Sequence, residues 1–262
     1  MPSAKDVTPN TEFLKCFLCG DPGSGKSVLA SSFPTPGFLF DFGSQVLTYR
    51  GLDFDYEQYE MGPLGWIKFE KDLIRVKKEM IDYKYMTIVV DDMTGLTDLA
   101  MERALQLDPK RSKTEGPIWN VHYAMVKNLV EGRIRQIMDL SANIVVISHM
   151  SYIRDEETGA VIGVEPMLTG QLSIKVPSYF DEVYYTQTRK DGGQTKWYVQ
   201  TIPIGFGHGR SRLSGKARIL PDLIPNEYSE IMAYALGTKK KSQPLNKTAV
   251  SNQPPNAVPN AA

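Results

Sequence analysis

Leu14-Lys15-Cys16-Phe17-Leu18-Cys19-Gly20-Asp21-Pro22-Gly23-Ser24-Gly25-Lys26-Ser27 is the stretch on which the fold turns. An apolar run stops at Gly20, a glycine-rich loop follows, and Lys26-Ser27 leads into Val28-Leu29-Ala30. Strand, loop and helix in that order are what the pattern G-x-x-x-x-G-K-[ST] needs to act as a phosphate-binding loop. Gly20, Gly23 and Gly25 free the backbone to turn successive N–H groups inward at a polyphosphate. Lys26 places a cation against the β- and γ-phosphates, Ser27 offers a hydroxyl to Mg²⁺, and the following helix aims its positive end at the same anion. The whole run Gly20, Asp21, Pro22, Gly23, Ser24, Gly25, Lys26, Ser27 and Val28 is the expected nucleotide cradle, with ATP and Mg²⁺ as its cofactors.

Working outward, Cys16 and Cys19 make a C-x-x-C, which invites a redox or metal reading. On a strand, residues three apart leave opposite faces, and no second Cys or His pair lies nearby to complete a zinc site. Buried strand cysteines are the better reading.

A second apolar run, Met86-Thr87-Ile88-Val89-Val90, ends in Asp91-Asp92. Its β-branched residues do not alternate with polar ones, so the pattern predicts a strand buried on both faces of a parallel sheet. After a phosphate loop this has the form of a Walker B segment: Asp91 reaches Mg²⁺ through water, and Asp92 orients the attacking water or supports the metal. A third strand, Ile144-Val145-Val146-Ile147, ends at Ser148-His149. If it neighbours the other two, His149 lies beside the γ-phosphate as a sensing contact. Phe38-Leu39-Phe40 forms another short strand and ends in the carboxylate of Asp41.

Between these strands, helical spacing predicts helices over about 66–83, 94–107, 118–140 and 227–236. Residues 150–176 read as a mobile loop or hairpin, and Asp191-Gly192-Gly193 as a tight turn between two strands. The segment 205–218 gathers Arg210, Arg212, Lys216 and Arg218 among glycines, either as a solvated basic loop or to reach a phosphate on nucleic acid or on a neighbouring subunit's nucleotide.

At 262 residues the chain holds one substantial α/β domain. Residues 1–12 read as a flexible lead-in, 13–236 as the core, and 237–262, lacking acids and aromatics, as a disordered tail. Thirty basic residues balance thirty acidic ones, so net charge neither favours nor opposes nucleic acid. No apolar run suits a bilayer span or signal segment, which predicts a cytoplasmic protein with no membrane partner.

Taken together, G-D-P-G-S-G-K-S, the strand ending at Asp41, I-V-V-D-D, V-V-I-S-H, P-M-L-T-G, F-D-E-V-Y-Y and G-K-A-R-I-L-P resemble the phage-encoded RecA-like ATPases of the Sak type, over roughly residues 13–236. The resemblance implies a RecA-like core with a central, mostly parallel sheet, ATP hydrolysis at a subunit interface, and rings or filaments of this chain. It also implies single-stranded DNA as partner, recombination or strand annealing as the role, and a single-stranded DNA-binding protein as a further partner. By position, Lys26 and Ser27 bind phosphates and Mg²⁺, Asp91 is the Walker B acid, and Ser148-His149 is the sensing tip. Residues 151–172 would be the DNA-contacting segment, and Lys216 and Arg218 the cations offered to the adjacent nucleotide.

One departure stands out: RecA-type enzymes commonly carry a glutamate near position 43, where this chain has Phe42-Gly43. Either Asp41 or Asp92 then positions the water, or turnover is slow and the protein acts as a nucleotide-gated binder. A third reading, a small-molecule P-loop kinase, is disfavoured by the order of the Walker B and V-V-I-S-H segments.

Overall fold

The computed structural model describes residues 12–62, 64–214 and 218–240. The lead-in before residue 12, the tail from 241 and Lys216 lie outside the described residues. The phosphate-loop strand β1 (Lys15–Gly20) is followed by α1 (Lys26–Ser31), β2 (Gly37–Asp41), β3 (Phe54–Gln58), α2 (Gly65–Glu79), β4 (Thr87–Asp91) and α3 (Met93–Leu107). Then come α4 (Ala124–Met138), β5 (Asn143–Arg154), β6 (Val161–Pro166), α5 (Leu172–Ser178), β7 (Glu182–Asp191) and β8 (Gln194–Gln200). Short strands β9 (Pro203–Ile204), β10 (Gly207–His208), β11 (Arg210–Ser211) and β12 (Leu223–Pro225) precede α6 (Tyr228–Ala235).

The main sheet runs β12-β8-β7-β1-β5-β4-β2-β3. From β3 across to β7 every neighbouring pair is parallel, and β8 and β12 add antiparallel strands at one edge. Parallel pairing needs crossovers, and α1 to α4 supply cover for the two faces. This is why β1, β2 and β4 carry unbroken apolar runs: each residue of β2 and β4 is buried.

The two faces form separate cores. Phe17, Cys19, Phe40, Val90 and Val146 pack with α2, α3 and α4 on one side, while Cys16, Leu18, Leu39, Val89 and Ile147 pack with α1 and α6 on the other. Cys16 and Cys19 are thus free, buried and on opposite faces, as residues three apart on a strand must be.

Three elements differ from what the pattern predicts. β5 does not stop at Ser148-His149 but runs on to Arg154, where it leaves the parallel sheet and pairs antiparallel with β6. Residues 150–176 are therefore largely ordered as this hairpin and the start of α5. The helix expected from residue 118 begins instead with a wide turn over Trp119–Tyr123 before α4. There the buried His122 accepts from the Ile118 N–H through Nδ1 at 2.7 Å and closes the turn.

Candidate nucleotide site

Because β5 lies between β1 and β4, three strand tips meet at one end of the sheet. Gly20 sits opposite His149 in the β1/β5 register, and Asp41 opposite Asp91 in the β2/β4 register. The crevice beyond the carboxyl ends of parallel strands is where open α/β sheets take their ligands.

The phosphate loop itself is tightly determined. Gly23 and Gly25 adopt φ of 76° and 93°, a left-handed region that L side chains rarely enter. Gly25 caps α1 without any side-chain hydrogen bond, so the first-turn N–H groups face the crevice. Lys26 is 6% exposed, folded back so that Nζ donates to the carbonyls of Gly20 and Asp21, each at 2.9 Å. Burial lowers its pKa, while Asp91 nearby acts in the opposite sense. Ser27 Oγ donates to Asp91 Oδ2 at 2.7 Å, joining the loop to the end of β4.

Asp91 and Asp92 have opposite environments. Burial, with Asp92 and Asp41 as like-charged neighbours, raises Asp91 to about 6 despite the Ser27 hydrogen bond. For Asp92 the burial penalty is outweighed: its carboxylate accepts from His149 Nε2 at 2.9 Å and from the Gly95 N–H at 2.8 Å, and its pKa is lowered. Asp92 is also the N-cap of α3, which explains its place directly after the strand.

Asp41 is differently employed. Its oxygens accept from the N–H groups of Gly43, Gln45 and Val46 and from Gln58 Nε2, at 2.8 to 3.3 Å. With two donors on each of its oxygens, all holding the loop after β2, Asp41 has no lone pair left for a water, whereas each Asp92 oxygen has one hydrogen bond named above. Gly43, at the position where RecA-type enzymes commonly carry a glutamate, would direct a Cβ to within 3.5 Å of Asp92 Oδ2.

Ser27, Asp91 and Lys26 fit a magnesium nucleotide by chemistry. The donors are a hydroxyl and a carboxylate, the oxygen set a hard cation prefers, and Mg²⁺ normally completes its shell with water and phosphate oxygens. Among the described residues no group of three or more His, Cys, Asp or Glu converges as a self-sufficient metal centre.

The cleft of about 240 Å³ over the loop is lined by Pro22, Gly23, Gly25, Lys26, Ser27, Val28, Asp91 and His149, and also by Gln45, Thr48 and Trp197. The last three escaped sequence reasoning. So did the groups that clamp the loop from the far edge of the sheet. Thr186 on β7 bonds Ser24 at 2.6 Å, Trp197 Nε1 on β8 donates to Gly23 O at 3.0 Å, and Asn226 Nδ2 donates to Gly25 O at 2.8 Å. On the other flank Tyr152 OH donates to Asp21 Oδ2 at 2.5 Å.

The described basic residues of 205–218 do not act together. Arg210 donates to the carbonyls of Pro177 and Phe180, and Arg212 pairs with Asp181, so both serve the fold. Arg218 is exposed, at φ 48°, and does not line the cleft.

A phosphate loop on β1, an acid closing β4 and a third strand inserted between them define a P-loop ATPase with a RecA-like α/β core. The model of a family described as AAA domain matches residues 12–212, and the chain belongs to that family. Among solved structures, it is similar to a KaiC-like protein, PH0186, from the hyperthermophilic archaeon Pyrococcus horikoshii OT3. Identity is 12% and the TM-score 0.40, over 71% of this chain and 77% of that one. A search of curated proteins returns no match. Among the described residues, no helix is long and apolar enough to cross a membrane.

Proposed function

We propose that this ATPase is a phage recombination protein that hydrolyses Mg²⁺-ATP and acts on single-stranded DNA, in recombination or annealing, as a ring or filament of identical subunits. The observation that carries its chemistry is the pairing of Ser27 with Asp91 beside the Asp92–His149 pair in one cleft. Bound ATP supplies the phosphoryl group, and Mg²⁺ neutralises its charge. Lys26 would exchange its two carbonyl partners for phosphate oxygens, Ser27 and Asp91 would hold the Mg²⁺, and His149 would serve as the sensing residue at the phosphate end. Asp92, kept ionised by His149 and the Gly95 N–H, orients the attacking water in the role that glutamate plays elsewhere.

Charge distribution changes where DNA is expected to bind. The β5–β6 hairpin, within the segment 151–172 that the resemblance offers to DNA, carries one Lys or Arg, Arg154, against Asp155, Glu156, Glu157 and Glu165. Phosphates would be repelled there. The exposed end of the β7–β8 hairpin, 188–197, instead offers Arg189, Lys190 and Lys196 against the one acid Asp191, which pairs with Lys196, and supports a backbone-tracking contact.

Gly43 favours a second reading, a nucleotide-gated DNA-binding or assembly factor with negligible turnover. Steady-state phosphate release with Mg²⁺-ATP, with and without single-stranded DNA, separates the two, with Lys26→Ala as the background. A DNA-stimulated rate abolished by Lys26→Ala is expected. Background rates in both conditions with ATP still bound would sink the first reading and support the second.

A further inference from the structure

We infer that Trp197 is the platform on which the base of the bound nucleotide stacks, and that it gives the site a preference for purine nucleotides. This rests on the loop being the phosphate site, and it concerns the aromatic wall of the same cleft. Lys26, Asp91 and His149 supply the charged and hydrogen-bonding side chains of the cleft, which suit the polyphosphate and its metal. Among the described residues lining the cleft, Trp197 is the one aromatic, and it lies beyond Gly23 and Gly25.

Trp197 is held yet uncovered. Its Nε1 is tied to Gly23 O, and its ring packs so closely on the loop that a Cβ on Gly25 would come within 2.9 Å of Trp197 Cγ. The residue is nonetheless 45% exposed. A large π surface whose orientation is set by a hydrogen bond and whose remaining area faces solvent suits a flat, polarisable ligand, since stacking covers it without reordering the side chain.

Asn226, 8% exposed, braces the loop on the same side, its Nδ2 donating to Gly25 O, and so helps to fix the surface against which the Trp197 ring is set.

The test compares ATP, CTP and inorganic tripolyphosphate by calorimetry on the unsubstituted protein, Trp197→Ala and Trp197→Phe. Trp197→Ala should weaken ATP by about tenfold, the size of one lost base-stacking contact. It should narrow the gap between ATP and CTP and weaken tripolyphosphate clearly less than ATP, because that ligand loses only the bracing of the loop, and Trp197→Phe should recover most of the ATP affinity. ATP should also quench tryptophan emission in the unsubstituted protein, tripolyphosphate should not, and the quench should vanish in Trp197→Phe. This second readout does not depend on how well the alanine variant folds.

Equal weakening of ATP and tripolyphosphate would overturn the proposal, because Trp197 would then act only by bracing the loop. Unchanged ATP affinity in Trp197→Ala would overturn it as well. If the unsubstituted protein binds neither ATP nor tripolyphosphate, the phosphate-loop reading itself falls, an outcome distinct from either.

Discussion

Asp91 shows how one buried carboxylate links acidity, stability and metal. Its pKa in the fold, about 6, exceeds the value near 4 of an unfolded chain. The neutral form is therefore favoured by folding: this stability is fully present below about pH 4 and is lost as pH rises through about 6. The difference corresponds to about 3 kcal/mol of destabilisation at pH 8 when no cation is bound. Asp91→Asn should thus raise the melting temperature of the metal-free protein at pH 8 and leave it unchanged at pH 4. The same variant should lose Mg²⁺-dependent phosphate release. Equal melting shifts at both pH values would show that ionisation of Asp91 is not the cause. For the unsubstituted protein, Mg²⁺-ATP affinity should fall as pH drops below 6, because protons then compete with the cation for this oxygen.

At the scale of elements, α3 and the loop after β2 meet at a single glycine. A Cβ on Gly95 would stand 2.6 Å from Phe42 O and 2.9 Å from Phe42 Cβ, while the Gly95 N–H is the one that donates to the capping carboxylate of Asp92. Gly95→Ala should push α3 away from that loop, costing about 1 to 3 kcal/mol, as overpacking does. Phosphate release should fall with it, since Asp92 moves with the cap; a denaturant midpoint and turnover both unchanged would refute this. Such contacts mark the limit of what a sequence displays. The strands bearing Gly20, Asp91 and Ser148 announced themselves as apolar runs ending in polar residues, because parallel strands are buried on both faces and end at the site. Trp197, Thr186 and Asn226 gave no such signal. They lie more than 150 residues from the loop that they clamp, and only the placement of β7, β8 and β12 beyond β1 brings them there. The polar tip Ser148-His149 suggested a strand end for a related reason: β5 leaves the buried sheet at that point, yet continues with β6 as its sole partner.

On the scale of the whole molecule, the proposed ring or filament would give the exposed Arg218 a role at a neighbour's nucleotide. If it reaches the neighbour's nucleotide, mixing Arg218→Ala with Lys26→Ala subunits should restore part of the activity that each lacks alone. No recovery at any mixing ratio would mean that each subunit works with its own cations. The central strand offers a separate way to follow the molecule. Cys16 and Cys19 are completely buried, burial raises both thiol pKa values, and they face the two different cores. A thiol reagent can reach Cys16 only when the α1 and α6 layer lifts, and Cys19 only when the α2 to α4 layer does. The order in which the two become modified therefore records which side of the sheet is shed first, and a bound nucleotide, gripping the tip of that strand, should slow both clocks.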